Sequence, residues 1–160
     1  MPPSQDPSAL QEYLAAATLK AAADLEAALL RLPEDRRDWS PGGDARSAAN
    51  VVAECAILNA STADLVRTRA FPEDFDLAAY QRARGELAAG DTATLLALLQ
   101  KNTGTAVAAI RAAPAEDLGV PVAMPWGPMT LAQVIAYPHW NMSYHEGQIN
   151  YIASMLGLLK

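Results

Sequence analysis

The chain has 160 residues, 51% hydrophobic and 19% charged, with a net charge of −6 at neutral pH. That length suits one domain, residues 1–160, with a full core, and the apolar content excludes a disordered chain. An acidic balance without a Lys/Arg cluster argues against binding a phosphate backbone, so no nucleic-acid partner is expected. Cys55 is the single cysteine, which excludes an intrachain disulfide and fits a reducing cytoplasm. The opening MPPSQDPSALQEYL has no basic start followed by an apolar run, so no signal peptide is expected. No apolar stretch reaches about 18 uninterrupted residues, so no membrane span is expected.

Residues 1–7 read as a Pro-rich, polar lead-in. Ser8 followed by Gln11 reads as a capping box, and a helix from about Ala9 to Leu32 follows. Leu14, Ala17, Ala21, Leu25, Ala28 and Leu32 keep helical spacing along it, and Pro33 stops it. Pro41, Gly42 and Gly43 mark a loop, with Trp39 as a lid over the bundle end. Ser47 is placed to cap a second helix over 47–69, whose inward stripe is Ser47, Val51, Glu54, Leu58, Thr62 and Leu65. Arg67 and Arg69 read as its solvated, dipole-complementing end.

The stretch after it reads as a mixed connector anchored by Phe71 and Phe75, with a short helical turn from Leu77 to Arg84. Asp91 or Thr92 caps a third long helix over 92–112, with Leu95, Leu98, Leu99, Val107 and Ile110 facing the core. The prolines and glycines of 115–129 exclude a helix there, and the alternation of Val120, Val122 and Met124 suits a short extended piece. Thr130 caps a closing helix to Lys160. Four long helices in one chain make an all-α four-helix bundle with long connections between helices 2–3 and 3–4, and such bundles build their sites in the core.

In the closing helix Leu131, Val134, Pro138, Asn141, His145, Gln148, Ile149, Ile152, Leu156 and Leu159 fall within about 60° of one another at helical turning. Asn141, His145 and Gln148 interrupt that apolar face, and unpaired buried polar groups cost about 1–3 kcal/mol each. Glu54 is the matching anomaly on the second helix, a carboxylate on a face otherwise dry. These four are the candidate site. The i, i+4 spacing of Asn141 and His145 suits two ligands of one ion, with Glu54 as a third from a facing helix and Gln148 behind them. The same residues also suit a metal-free network in which Glu54 accepts from Asn141 and His145. His139 reads as a partly exposed histidine, Gly147 as a point of close helix approach, and Cys55 as a thiol whose pKa its acidic neighbour raises.

Trp39 with the SAANVVAEC segment, and NMSYHEGQI near the C-terminus, resemble the DinB / YfiT-like superfamily of bacterial four-helix bundles. That family's closing motif is His-x-x-x-His-x-Gly-Gln, and here Asn141 stands in place of its first histidine, with His145, Gly147 and Gln148 following. The family's remaining metal-binding histidine lies in mid-helix 2, where this chain has Glu54. The resemblance implies a divalent ion and, in some relatives, transfer or isomerisation chemistry with a low-molecular-weight thiol. A Glu/Asn/His set suits manganese, iron or magnesium better than nickel. The expectation is a DinB-like protein of undetermined activity: a metal-dependent or thiol-dependent enzyme, or a metal-free binding or dimerisation module. Apolar residues assigned outside the core face, Ile135, Trp140 and Met155, favour a homodimer.

Overall fold

The computed structural model describes residues 7–159; most of the 1–7 lead-in and Lys160 lie outside them. Five α-helices form: α1 Ala9–Arg31, α2 Ala48–Thr68, α3 Leu77–Ala89, α4 Thr92–Ala112 and α5 Leu131–Met155. The expected caps are in place. Ser8 and Gln11 close a reciprocal box at α1, and Thr130 and Gln133 close another at α5, each satisfying amides that the first helical turn leaves without partners. Ser47 caps α2, Asp91 rather than Thr92 caps α4, and Asp76, for which no cap was expected, caps α3, each through its side chain.

The connector is more helical than expected. The turn placed at Leu77–Arg84 runs on as α3 to Ala89, because Asp76 caps it and a single interior glycine, Gly85, costs only about 1 kcal/mol against alanine, too little to end the helix before Gly90. The closing helix is shorter. It stops at Met155, where Gly157 takes a φ of +70°. Leu158 N–H donates to the Ala153 carbonyl at 2.8 Å and Gly157 N–H to Ser154 at 3.0 Å, the two bonds of a glycine-terminated helix end. Leu159 thereby falls outside the helix and is exposed. Arg69 is no free helix end either: it closes α2 at φ +59° and pairs with Asp117 at 3.0 Å.

The bundle proper is α1, α2, α4 and α5. Going round it, α1 packs on α4, α4 on α2, α2 on α5, and α5 back on α1, while α1–α2 and α4–α5 are the diagonals. α3 lies outside against α2. Two apolar clusters fill the interior. One gathers Leu25, Leu29, Val52, Leu99, Met142 and Ile149, and Trp39 packs against it as expected. The other gathers Leu14, Ile110, Val122, Leu131 and Ile135. α1 and α5 enter at the second cluster and leave at the first, whereas α2 and α4 run the other way. α2 and α4 are thus parallel, and the connector with α3 spans the bundle between them. The 115–129 stretch holds a two-residue antiparallel pair, Pro121–Val122 against Met129–Thr130, with Val122 buried in the second cluster.

Ile135 belongs to this core and is fully buried, which corrects its assignment to an outer face. At its level α5 meets α1 on one side and the strand pair on another, so more of the helix circumference is covered than one stripe. Trp140 and Met155 do lie outside, more than half exposed. Between the two clusters runs a belt of buried polar side chains: Thr18, Asn59, Thr62 and Thr103. Asn59 Nδ2 donates to Thr103 Oγ1 at 3.0 Å and faces Met142 Sδ at 3.4 Å. No helix among the described residues is long and apolar enough to cross a membrane.

Candidate functional site

Glu54 and His145 meet. α2 turns Val51, Val52 and Cys55 into the core and leaves Glu54 at the edge of that face, its side chain 14% exposed. α5 carries His145 inward among Asn141, Met142 and Ile149 until only 3% of its side chain is exposed. The imidazole Nε2 lies 2.9 Å from Glu54 Oε1, and Nδ1 lies 2.7 Å from Gln148 Oε1. Both ring nitrogens thus face oxygens, which an imidazolium satisfies by donating twice. A neutral ring does the same if Nε2–H donates to Glu54 and the Gln148 amide is turned over to donate to Nδ1. Gln148 is itself exposed, so it reaches the cluster from the rim rather than from the dry face.

The other carboxylate oxygen has partners that helical spacing does not mark. Arg46 Nη1 donates to Glu54 Oε2, and Arg84 Nη1 lies 3.6 Å from the same oxygen. Arg46 stands just before the α2 cap, and Arg84 on α3 lies over the Tyr80 ring at 5.5 Å. A half-buried carboxylate needs a cation, but that general rule names no particular arginine. Burial alone would raise the Glu54 pKa. The hydrogen bonds from His145 and Arg46, with the charge of both, outweigh it and bring the group down to about 2. Burial, and then the Glu54 charge, push the Tyr80 and Tyr137 phenols up.

Asn141 does not join this pair. It is buried on the expected face, but its Nδ2 contacts Cys55 Sγ at 3.6 Å. Burial, followed by the Glu54 carboxylate, pushes the Cys55 thiol up, which keeps it protonated and poorly nucleophilic. His139 is half-buried toward α1 beside Tyr13 and Ser143, away from the cluster. Gly147 is not a point of close approach: a Cβ there would meet nothing within 4 Å.

The donor set as arranged does not suit a divalent cation. Among the described residues no group of three or more His, Cys, Asp and Glu side chains converges. The one carboxylate is shared between an imidazole and two guanidinium groups, the Asn141 amide presents nitrogen to sulfur, and the Gln148 oxygen is taken up by the His145 ring. Two arginines against one carboxylate leave local positive charge, which repels a metal ion and attracts an anion. Cys55, held protonated, is a poor nucleophile, and Glu54, with hydrogen bonds to both oxygens and its basicity lowered, is a weak one. What the arrangement offers is charge and hydrogen bonds in fixed positions.

A bundle whose polar residues converge in its interior, with a closing helix reading Asn141-x-x-x-His145-x-Gly147-Gln148, defines a class of small helical proteins with a core-built site. The DinB superfamily model matches residues 17–149, and the chain belongs to that superfamily. The crystal structure of YjoA, a DinB-like protein from Bacillus subtilis, is similar at a TM-score of 0.66, covering 92% of this chain and 94% of that one. Identity between the two is 13%, so the likeness is one of fold. No curated protein matches the chain.

Proposed function

We propose that this chain is a metal-independent binding protein, in which Arg46 and Arg84 supply to Glu54 the positive charge that a divalent ion would otherwise bring. One observation carries the reading: the Glu54 carboxylate is already met by two guanidinium groups and the His145 ring. Charge-assisted bonds from arginine fix a carboxylate as firmly as they fix a ligand. Glu54 and His145 then act as the frame, and Arg46 and Gln148 are the frame's two solvent-facing members.

Elemental analysis of protein purified without added metal, followed by titration with Zn²⁺, Ni²⁺ and Mn²⁺, tests this. The expected result is less than about a tenth of an equivalent of any divalent ion and no titration heat. One equivalent bound in wild type and lost in both Glu54→Gln and His145→Ala would overturn it. That outcome would favour the second reading, an ion on Glu54, Asn141 and His145 with Gln148 behind them, serving a low-molecular-weight thiol as substrate. The burial of Asn141 and His145 one turn apart supports this alternative. It requires the Arg46 guanidinium to leave Glu54 and the Asn141 amide to turn its oxygen inward.

A further inference from the structure

A groove of about 550 Å³ runs from the charged cluster along the C-terminal half of α5. Its polar end is Arg46 and Gln148, the residues that hold Glu54 and His145 from outside. Its walls include Tyr144 and Tyr151, which stand two turns apart on one face of α5, both more than half exposed. Gly147 lies between them in the same lining. A glycine inside a helix is unfavourable unless something else wants the space. Here the space is open, since a Cβ at 147 would touch nothing. The missing side chain therefore makes a notch, bounded by two phenol rings and reached by one guanidinium.

Such a notch fits a flat ring better than a chain, because the tyrosine rings supply planar apolar contact with few rotatable bonds. Arg46 spends Nη1 on Glu54, and no other hydrogen bond to its guanidinium occurs among the described residues, so its remaining N–H groups are free for an oxyanion. Asp44 also lines the groove but is exposed, so its charge is screened by solvent. We infer that this groove binds a small aromatic acid, its ring over Gly147 between Tyr144 and Tyr151 and its carboxylate or sulfonate on Arg46. This goes beyond the metal-independent reading: the notch is built from residues that would hold no ion, while the place of Arg46 on Glu54 rests on that reading.

The probe is 1-anilinonaphthalene-8-sulfonate, with its uncharged analogue N-phenyl-1-naphthylamine as comparison, followed by fluorescence on EDTA-treated and untreated protein. The sulfonate is expected to bind at one site and the uncharged ring at least about tenfold more weakly. Gly147→Leu fills the notch at an exposed helical position, so it should leave the circular dichroism and unfolding midpoint intact while weakening sulfonate binding at least about tenfold. Tyr151→Ala should weaken it less. Binding by Gly147→Leu within about twofold of wild type, or equal binding of the charged and uncharged probes, would overturn the inference. So would a wild-type dimer in sedimentation that Gly147→Leu dissociates, since a second copy of the chain would then occupy the groove. A loss of probe binding on adding EDTA would overturn both, since the sulfonate would then depend on a metal ion rather than on Arg46, whereas bound metal with probe binding unchanged by EDTA would overturn the metal-independent reading alone.

Discussion

Two kinds of buried polar group sit in this bundle, and they differ in how they are closed. The neutral ones are sealed. Asn59 and Thr103 bond each other across the α2–α4 interface with 1% and 2% of their surface exposed. Gln11 is fully buried and donates to the Ile110 carbonyl at 2.8 Å and the Ala113 carbonyl at 2.6 Å, tying the α1 start to the end of α4. The charged cluster at Glu54 and His145 is open. Its cations arrive from a loop and from a helix outside the bundle, and one edge borders a groove. Sealed neutral pairs specify how helices register. An open charged cluster with more cations than anions does less for packing, and the proposed binding role rests on it.

The comparison breaks most visibly at Glu54. Glu54→Gln leaves two arginines facing a neutral amide, and urea unfolding should show a loss of about 3 kcal/mol, the scale seen when one partner of a buried pair is removed. Gln11→Ala should cost about 2 kcal/mol by the same measurement, since two helix-end carbonyls lose their donor in a dry site. Asn59→Ala should cost about 1.5 kcal/mol, because Thr103 keeps a rotatable hydroxyl that finds another acceptor. Gly147→Ala should raise stability by up to about 1 kcal/mol, the helix propensity that the notch forgoes.

Acid separates the two kinds of cluster further. The folded Glu54 pKa of about 2 lies below its ordinary value of 4.5. The unfolded state therefore binds the proton more readily, and the contribution of Glu54 to stability is complete above that ordinary value. It is lost as pH falls from there through the folded value. Urea midpoints measured between about pH 6 and pH 2 should show this limb in wild type, shallower in Glu54→Gln and unchanged in Asn59→Ala. Equal limbs in all three would place the acid sensitivity elsewhere.

Much of the frame was legible because it depends on near neighbours. Ser8 and Gln11, Thr130 and Gln133, and the stops at Pro33 and Pro114 mark helix ends by chemistry confined to a few residues. The meeting of Glu54 and His145 was legible for a similar reason: each interrupts an apolar face, and bundle geometry leaves such interruptions few places to go. Arg46 and Arg84 were not legible. Their arrival depends on the path of the loop before α2 and on α3 lying against α2, and neither leaves a periodic trace. Asn141 failed differently. Its face was right, but a rotation of a few tens of degrees decides between Glu54 and Cys55, finer than helical spacing resolves. Gly157 carried a readable stop signal, and it ended α5 where a continuous apolar stripe suggested more helix.

A double-mutant cycle between Glu54→Gln and Arg46→Met, read by urea unfolding in EDTA, tests most directly whether guanidinium charge holds the cluster. With guanidinium charge holding the cluster, the coupling is favourable by about 1–3 kcal/mol without any metal present. A coupling below about 0.5 kcal/mol, within the range of independent sites, would contradict it.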